Sequence, residues 1–244
     1  MHIITENANI DARPAIWKVT PKSHSNGTGV FGKFLDLVED SVEKWVRTKS
    51  YKEYRTITPL LSEEQRNEIK LNIKPGDIVL ESDDRLLNWR IFEAVLGSTR
   101  SPRWNHVALY VGDGVVIEAG GKIPENVHRV SLNEFLETHH VMIGRCKDSD
   151  PKKAIDFVVV RLGLPYNARF ILTDVAYCCS ELVAGALNAA ATIPGEVIVR
   201  SQRRPFHSGL CVSPEDILRS PKIDWWYKSS PSYFWKAVWS VIRA

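Results

Sequence analysis

Asn105-His106-Val107-Ala108-Leu109-Tyr110-Val111-Gly112-Asp113-Gly114-Val115-Val116-Ile117-Glu118-Ala119 has the pattern of a β-hairpin: two β-prone runs around a Gly-Asp-Gly turn. A three-residue loop, Gly112 to Gly114, pairs Val111 with Val115 and Leu109 with Ile117. One face then holds Val107, Leu109, Val111, Val115 and Ile117, all apolar. The other holds His106, Ala108, Tyr110, Val116 and Glu118. A two-residue loop, Asp113-Gly114, would set Glu118 across from Leu109 and bury a carboxylate without a partner, so the three-residue register is preferred. It places Glu118 opposite Ala108 and diagonal to His106, roughly 7–8 Å between Cβ atoms. A carboxylate on one ring nitrogen fixes the tautomer and orientation of a histidine base. The plainer alternative is a surface histidine beside a solvated glutamate, and the hairpin alone does not separate the two.

The second informative stretch is Cys179-Ser180-Glu181-Leu182-Val183-Ala184-Gly185-Ala186-Leu187. Leu182, Val183, Ala186, Leu187 and Ala190 form the inward stripe of a helix over Cys179 to Ala190, and Cys179 falls three residues before Leu182 on that stripe. A thiol in a first helical turn, beside free N–H groups and the positive end of the macrodipole, is biased toward thiolate. Cys178 lies just outside the helix and has no such reason to ionise. It reads, with Cys146 and Cys211, as a small buried residue. The four cysteines lack CxxC spacing, which fits reduced thiols in a cytosol-like compartment, and no zinc-ligand spacing is present. His128 and His207 have no evident constellation, and His139-His140 reads as a cap at a helix end.

Around these two stretches the chain reads as α+β, an antiparallel sheet packed by helices. Residues 1 to 29 read as an irregular extension, followed by a helix over about Phe31 to Thr48. A second helix runs from Ser62 to about Leu71, opened by the capping box Ser62-Glu63-Glu64-Gln65. Lys74-Pro75-Gly76-Asp77 is a turn into the strand Ile78 to Leu80. An amphipathic helix is expected over Leu86 to Leu96. Further strands fall at Val127 to Val130 and Val141 to Cys146, with helices at Leu132 to Glu137 and Pro151 to Leu162. After Trp225-Trp226-Tyr227, residues 231 to 243 form a helix started by Ser230 and Pro231. Ser232, Lys236, Ser240 and Arg243 make its narrow polar stripe. Such a helix suits a membrane interface or, by preference here, docking on the domain's own core or on a partner.

The chain has 244 residues, 44% hydrophobic and 25% charged, the balance of a globular protein with a real core. Its net charge of +3 is too small to argue for nucleic acid, so no nucleic-acid partner is expected, and Arg200, Arg203 and Arg204 read as a solvated loop. No secretory signal or run of about 18 apolar residues is visible. The expected localisation is cytoplasmic, with a membrane-peripheral position or export without an N-terminal signal as alternatives.

Gly163-Leu164-Pro165-Tyr166, followed by Tyr177-Cys178-Cys179-Ser180-Glu181-Leu182-Val183, resembles the G-x-P-Y segment and cysteine helix of the NlpC-type amidases. Here His106 precedes Cys179, an order similar to the circularly permuted, YaeF/YiiX-like branch. Pro75-Gly76-Asp77-Ile78-Val79 and Ile117-Glu118-Ala119 extend the likeness, which covers roughly residues 74 to 190. One departure is Cys178, since the branch usually has tyrosine before the nucleophile.

The resemblance implies a permuted papain-like fold for a catalytic domain (74–220), and it does not explain the partly helical extension (1–73) or the Trp-rich tail (221–244). It implies Cys179 as nucleophile, His106 as base, Glu118 as third member and Tyr166 as a substrate-binding residue, with no metal or cofactor. The implied function is hydrolysis of an amide bond in a small amide or acylated substrate through a thioacyl-enzyme. The first alternative is a membrane-associated thiol acyltransferase or lipase, touching lipid peripherally through the tail and sharing the His-before-Cys order of lecithin:retinol acyltransferase-like proteins. The second is a catalytically inactive binding module.

Overall fold

The computed structural model describes residues 60–82, 104–120, 125–167, 172–203 and 209–229. The expected irregular segment 1–29 and the expected helices at 31–48, 86–96 and 231–243 lie outside the described residues.

Helix α1 (Glu63–Asn72) begins as its sequence requires: Gln65 N donates to Ser62 Oγ, and Ser62 N donates back to Gln65 Oε1 at 2.9 Å. The Lys74–Asp77 turn follows, with Gly76 at φ +90°, where a Cβ would lie 2.7 Å from Pro151 Cβ. Glycine is therefore required there by both backbone and space. The chain then runs through β1 (Ile78–Ser82), β2 (His106–Gly112), β3 (Val115–Ala119), β4 (Val127–Ser131), the short α2 (Leu132–Phe135) and β5 (His140–Cys146). Next come α3 (Pro151–Val159), α4 (Cys179–Ala189), β6 (Gln202–Arg203), β7 (Leu210–Cys211), α5 (Pro214–Leu218) and β8 (Ile223–Lys228).

Six strands form one antiparallel sheet in the order β4-β3-β2-β1-β5-β8, and β6 and β7 pair separately. Period-two alternation gives the sheet two buried faces. Ile78, Leu80, Val107, Leu109 and Ile117 pack with Leu182, Val183, Ala186 and Leu187 of α4. Val79, Ala108, Tyr110, Val116 and Ile143 pack with Leu61, Ile69, Leu132 and Phe135 on the other side. This is the expected α+β architecture.

Three details differ from the sequence expectations. The loop between β2 and β3 is the two-residue turn Asp113-Gly114, with φ of 51° and 70°, and Gly112 pairs with Val115. A bulge at Val111 absorbs one residue, so Leu109 still pairs with Ile117 and Tyr110 with Val116. Next, α4 is buried over its whole circumference, Cys179 through Asn188, rather than along one stripe. Its outer side is covered by the later segments: Ser180 Oγ donates to Val212 O at 2.6 Å, and Asn188 exchanges hydrogen bonds with Val199. Finally, Ile223–Lys228, read as part of the tail, is a sheet strand paired with β5, so the folded unit passes the boundary at residue 220. Leu61 and Ile69, read as extension, belong to its core as well.

Candidate active site

The strand register brings three polar side chains together at one end of the sheet. His106 opens β2, Glu118 is the penultimate residue of β3, and His128 is directly opposite Glu118 on β4. Continuing the Leu109–Ile117 pairing puts Glu118 across from Ala108, whose small side chain leaves the diagonal to His106 clear. Glu118 Oε2 lies 2.6 Å from His106 Nε2, and its Oε1 lies 3.3 Å from His128 Nε2. Phe135 of α2 stands beside the His106 ring, centroids 5.7 Å apart.

Cys179 opens α4, with Cys178 as N-cap, and is buried in the core on the helix side of the sheet. By alternation His106 and Glu118 belong to the other face. Cys179 nevertheless lies near enough to His106 to act on the charge of its ring. His106 is the first residue of β2, at the end of the sheet. With Glu118 on Nε2, the ring nitrogen left for Cys179 is Nδ1.

The electrostatics follow from these contacts. Burial opposes a charge on His106, but Glu118 and Cys179 outweigh it and hold the ring's pKa well above the ordinary histidine value. Burial likewise opposes ionisation of Glu118, yet the two histidines keep its carboxyl far below the usual range. For Cys178 burial comes first, aided by the charges of Glu181 and Cys179, and its thiol is pushed far up. The expectation that Cys178 has no reason to ionise agrees with this. All four cysteines are free and buried.

Tyr166 is half-buried against the core that contains Cys179, and its backbone bridges to Tyr177 at the approach to α4. Tyr177 points elsewhere: its hydroxyl accepts from Arg161 Nε at 2.8 Å, and its ring meets Phe157 edge-on. His139 and His140 are buried, and His140 opens β5 rather than ending a helix.

Sequence reasoning missed two residues. His128 was set aside as isolated, because its partner becomes visible only once β3 and β4 are in register. Glu181 sits at the third position of α4, where its Oε2 accepts from Cys178 N at 2.8 Å and from Asn167 Nδ2 at 2.9 Å. The spacing from N-cap to Glu181 is that of a capping box and could have revealed it. Among the described residues, no group of three or more His, Cys, Asp or Glu side chains is arranged to hold a metal ion. No helix among them is long and apolar enough to cross a membrane.

An antiparallel sheet backed by helices, with the histidine strand ahead of the cysteine helix in the chain, defines a circularly permuted papain-like fold. The model of the permuted papain-like amidase enzymes, the YaeF/YiiX or C92 family, matches residues 72–225, and the chain belongs to that family. Among solved structures, the crystal structure of the metalloprotein yiiX from Escherichia coli O157:H7 shares the fold. Its TM-score is 0.52 at 19% sequence identity, over 65% of this chain and 98% of that one. No curated protein matches the chain in sequence.

Proposed function

We propose that this protein is a cysteine hydrolase that cleaves an amide bond, in a peptide or an acylated amine, with Cys179 as nucleophile, His106 as general base and acid, and Glu118 as the group that orients His106. The observation that carries this reading is the 2.6 Å contact of Glu118 Oε2 with His106 Nε2, which occupies that nitrogen and leaves Nδ1 for a nearby thiol. In this reading His106 takes the proton of the Cys179 thiol, giving the thiolate that attacks.

In the proposed cycle the Cys179 thiolate attacks the carbonyl carbon, forming a C–S bond while the carbonyl π pair moves to oxygen. The Cys179 N–H, at the first helical position and outside the helix's own ladder, donates to that oxyanion. Collapse breaks the C–N bond, and His106 delivers its proton to the departing amine. Water then gives a proton to His106 and its hydroxide equivalent to the thioester, releasing the acid and the Cys179 thiolate, which takes its proton back from His106. Tyr166 lines the acyl side of the site in this reading. The partners are small amides or acylated compounds, met in the cytoplasm. Neither nucleic acid nor a metal takes part in the scheme.

The test is hydrolysis of a panel of fluorogenic peptide and acyl-amides, together with labelling by an electrophilic thiol probe mapped by mass spectrometry. Cys179→Ala should abolish turnover and labelling at that position with thermal unfolding unchanged, and Cys178→Ala should retain both. Equal losses in the two variants would mean that the nucleophile is misassigned. Probe labelling without amide hydrolysis, and with acyl transfer to an added amine or lipid acceptor, would favour the acyltransferase reading instead.

A further inference from the structure

Glu118 carries a second histidine that the reaction scheme does not use. His128 stands opposite it in the β3–β4 register, its Nε2 3.3 Å from Glu118 Oε1. Its other nitrogen, Nδ1, is 2.9 Å from the carbonyl oxygen of Asn126, which can only accept. Both ring nitrogens thus face acceptors, and both contacts are satisfied together only when each nitrogen carries a hydrogen. Titratable groups acting on the ring are Glu118 from β3 and His106 from β2; Glu118 and the Asn126 carbonyl raise its pKa, while burial and His106 oppose them.

The surroundings are shaped to this pair. A Cβ on Gly120 would stand 2.7 Å from His128 Cε1 and 3.0 Å from Glu118 Oε1. Only glycine leaves that space open. The Gly120 N–H donates to the same Asn126 carbonyl at 3.1 Å, which fixes the acceptor that holds the ring. A glutamate's terminal torsion is broad and roughly two-fold, so one contact does not set the plane of its carboxylate. A contact on each oxygen does.

We propose that His128 is a positioning residue that grips Oε1 of Glu118 and so aims Oε2 at His106, setting the ring against Cys179. This rests on the proposed Cys179–His106–Glu118 chemistry, and the experiment keeps the two apart. The full-length protein is treated with iodoacetamide from pH 5 to 9, and the alkylation rate at Cys179 is followed by peptide mass spectrometry. Wild type should react at pH 6 far faster than an ordinary thiol, and His106→Ala should remove that low-pH reactivity. His128→Ala should slow alkylation at pH 6 by roughly tenfold, the size of one lost ion pair between partly buried groups, and move the half-maximal pH upward. His128→Gln, whose amide reaches the same oxygen as Nε2, should restore most of the rate. His128→Asn, too short to reach it, should behave as the alanine variant and replaces it if the latter does not fold. A His128→Ala or Asn profile superimposable on wild type, with His106→Ala still collapsed, would overturn the positioning role and leave the triad standing. Wild-type behaviour in His106→Ala would overturn both. A purely structural role would lower thermal stability without moving the pH profile or responding to glutamine.

Discussion

Glu181→Gln offers a measurable test of how burial governs charge around α4. Glu181 is 3% exposed, and burial lifts its pKa from 4.5 to about 7, against hydrogen bonds from Cys178 N and Asn167 that favour the charged form. A folded-state value above the unfolded one means that the native protein holds this proton longer than the unfolded chain does. Below pH 4.5 the group is neutral in both states and costs nothing. Between 4.5 and about 7 only the unfolded chain ionises, and native stability falls with rising pH. At 1.36 kcal/mol per pH unit, that interval corresponds to about 3 kcal/mol, reached near pH 7 and constant above it. Glutamine has no proton to lose. Its oxygen can still accept from Cys178 N, and Asn167 can turn its amide to receive the new N–H, at a cost of about 1 kcal/mol. Urea unfolding of wild type and variant at pH 5 and pH 8 isolates the effect, because other titrating groups cancel in the difference of differences. The variant should be slightly less stable at pH 5 and more stable at pH 8, a swing of about 3 kcal/mol. A difference that stays constant with pH, or that turns against glutamine as pH rises, would show Glu181 ionised throughout and refute the argument from burial.

Two glycines extend the test to packing. Gly185→Ala puts a Cβ 2.6 Å from Phe157 Cζ, where α3 lies across α4. It should cost about 1–3 kcal/mol in urea unfolding while leaving the pH profile of Cys179 alkylation unchanged. Gly120→Ala should do the reverse, displacing His128 and Glu118 and slowing alkylation at pH 6 by roughly tenfold, with only a small loss of stability.

Much of the architecture was legible because apolar alternation and capping chemistry are local. Ser62 and Gln65, the Lys74–Asp77 turn and the start of α4 at Cys179 can each be read from a few adjacent residues. The boundary at 220 failed for a related reason: Trp225-Trp226-Tyr227 was read as a cluster of aromatics. Ile223 and Trp225 alternate toward one core, and a register shift between Ile143 and Gly144 breaks that period and puts Trp226 and Tyr227 against the other. His128 was illegible because nothing in residues 120–126 fixes the register of β4 on β3. Val127 and Val130 fall on opposite faces, so hydrophobicity alone does not choose between the two registers.

The hairpin puts Glu118 on the expected face with a different loop. A three-residue loop would keep Glu118 off the apolar face by register alone. The protein uses two, in a turn whose Asp113 and Gly114 both take positive φ and whose twist matches that of the strands. The missing residue is returned by the bulge at Val111. Both solutions obey the same constraint: Leu109 and Ile117 must share the buried helix side, which leaves Glu118 on the face of Ala108 and His106. Burial of apolar side chains thus fixes the face on which the carboxylate lies, and the backbone adjusts at the turn, where a left-handed Asp-Gly pair costs little. For this site, the register of a hydrophobic core is the device that delivers a carboxylate to a histidine.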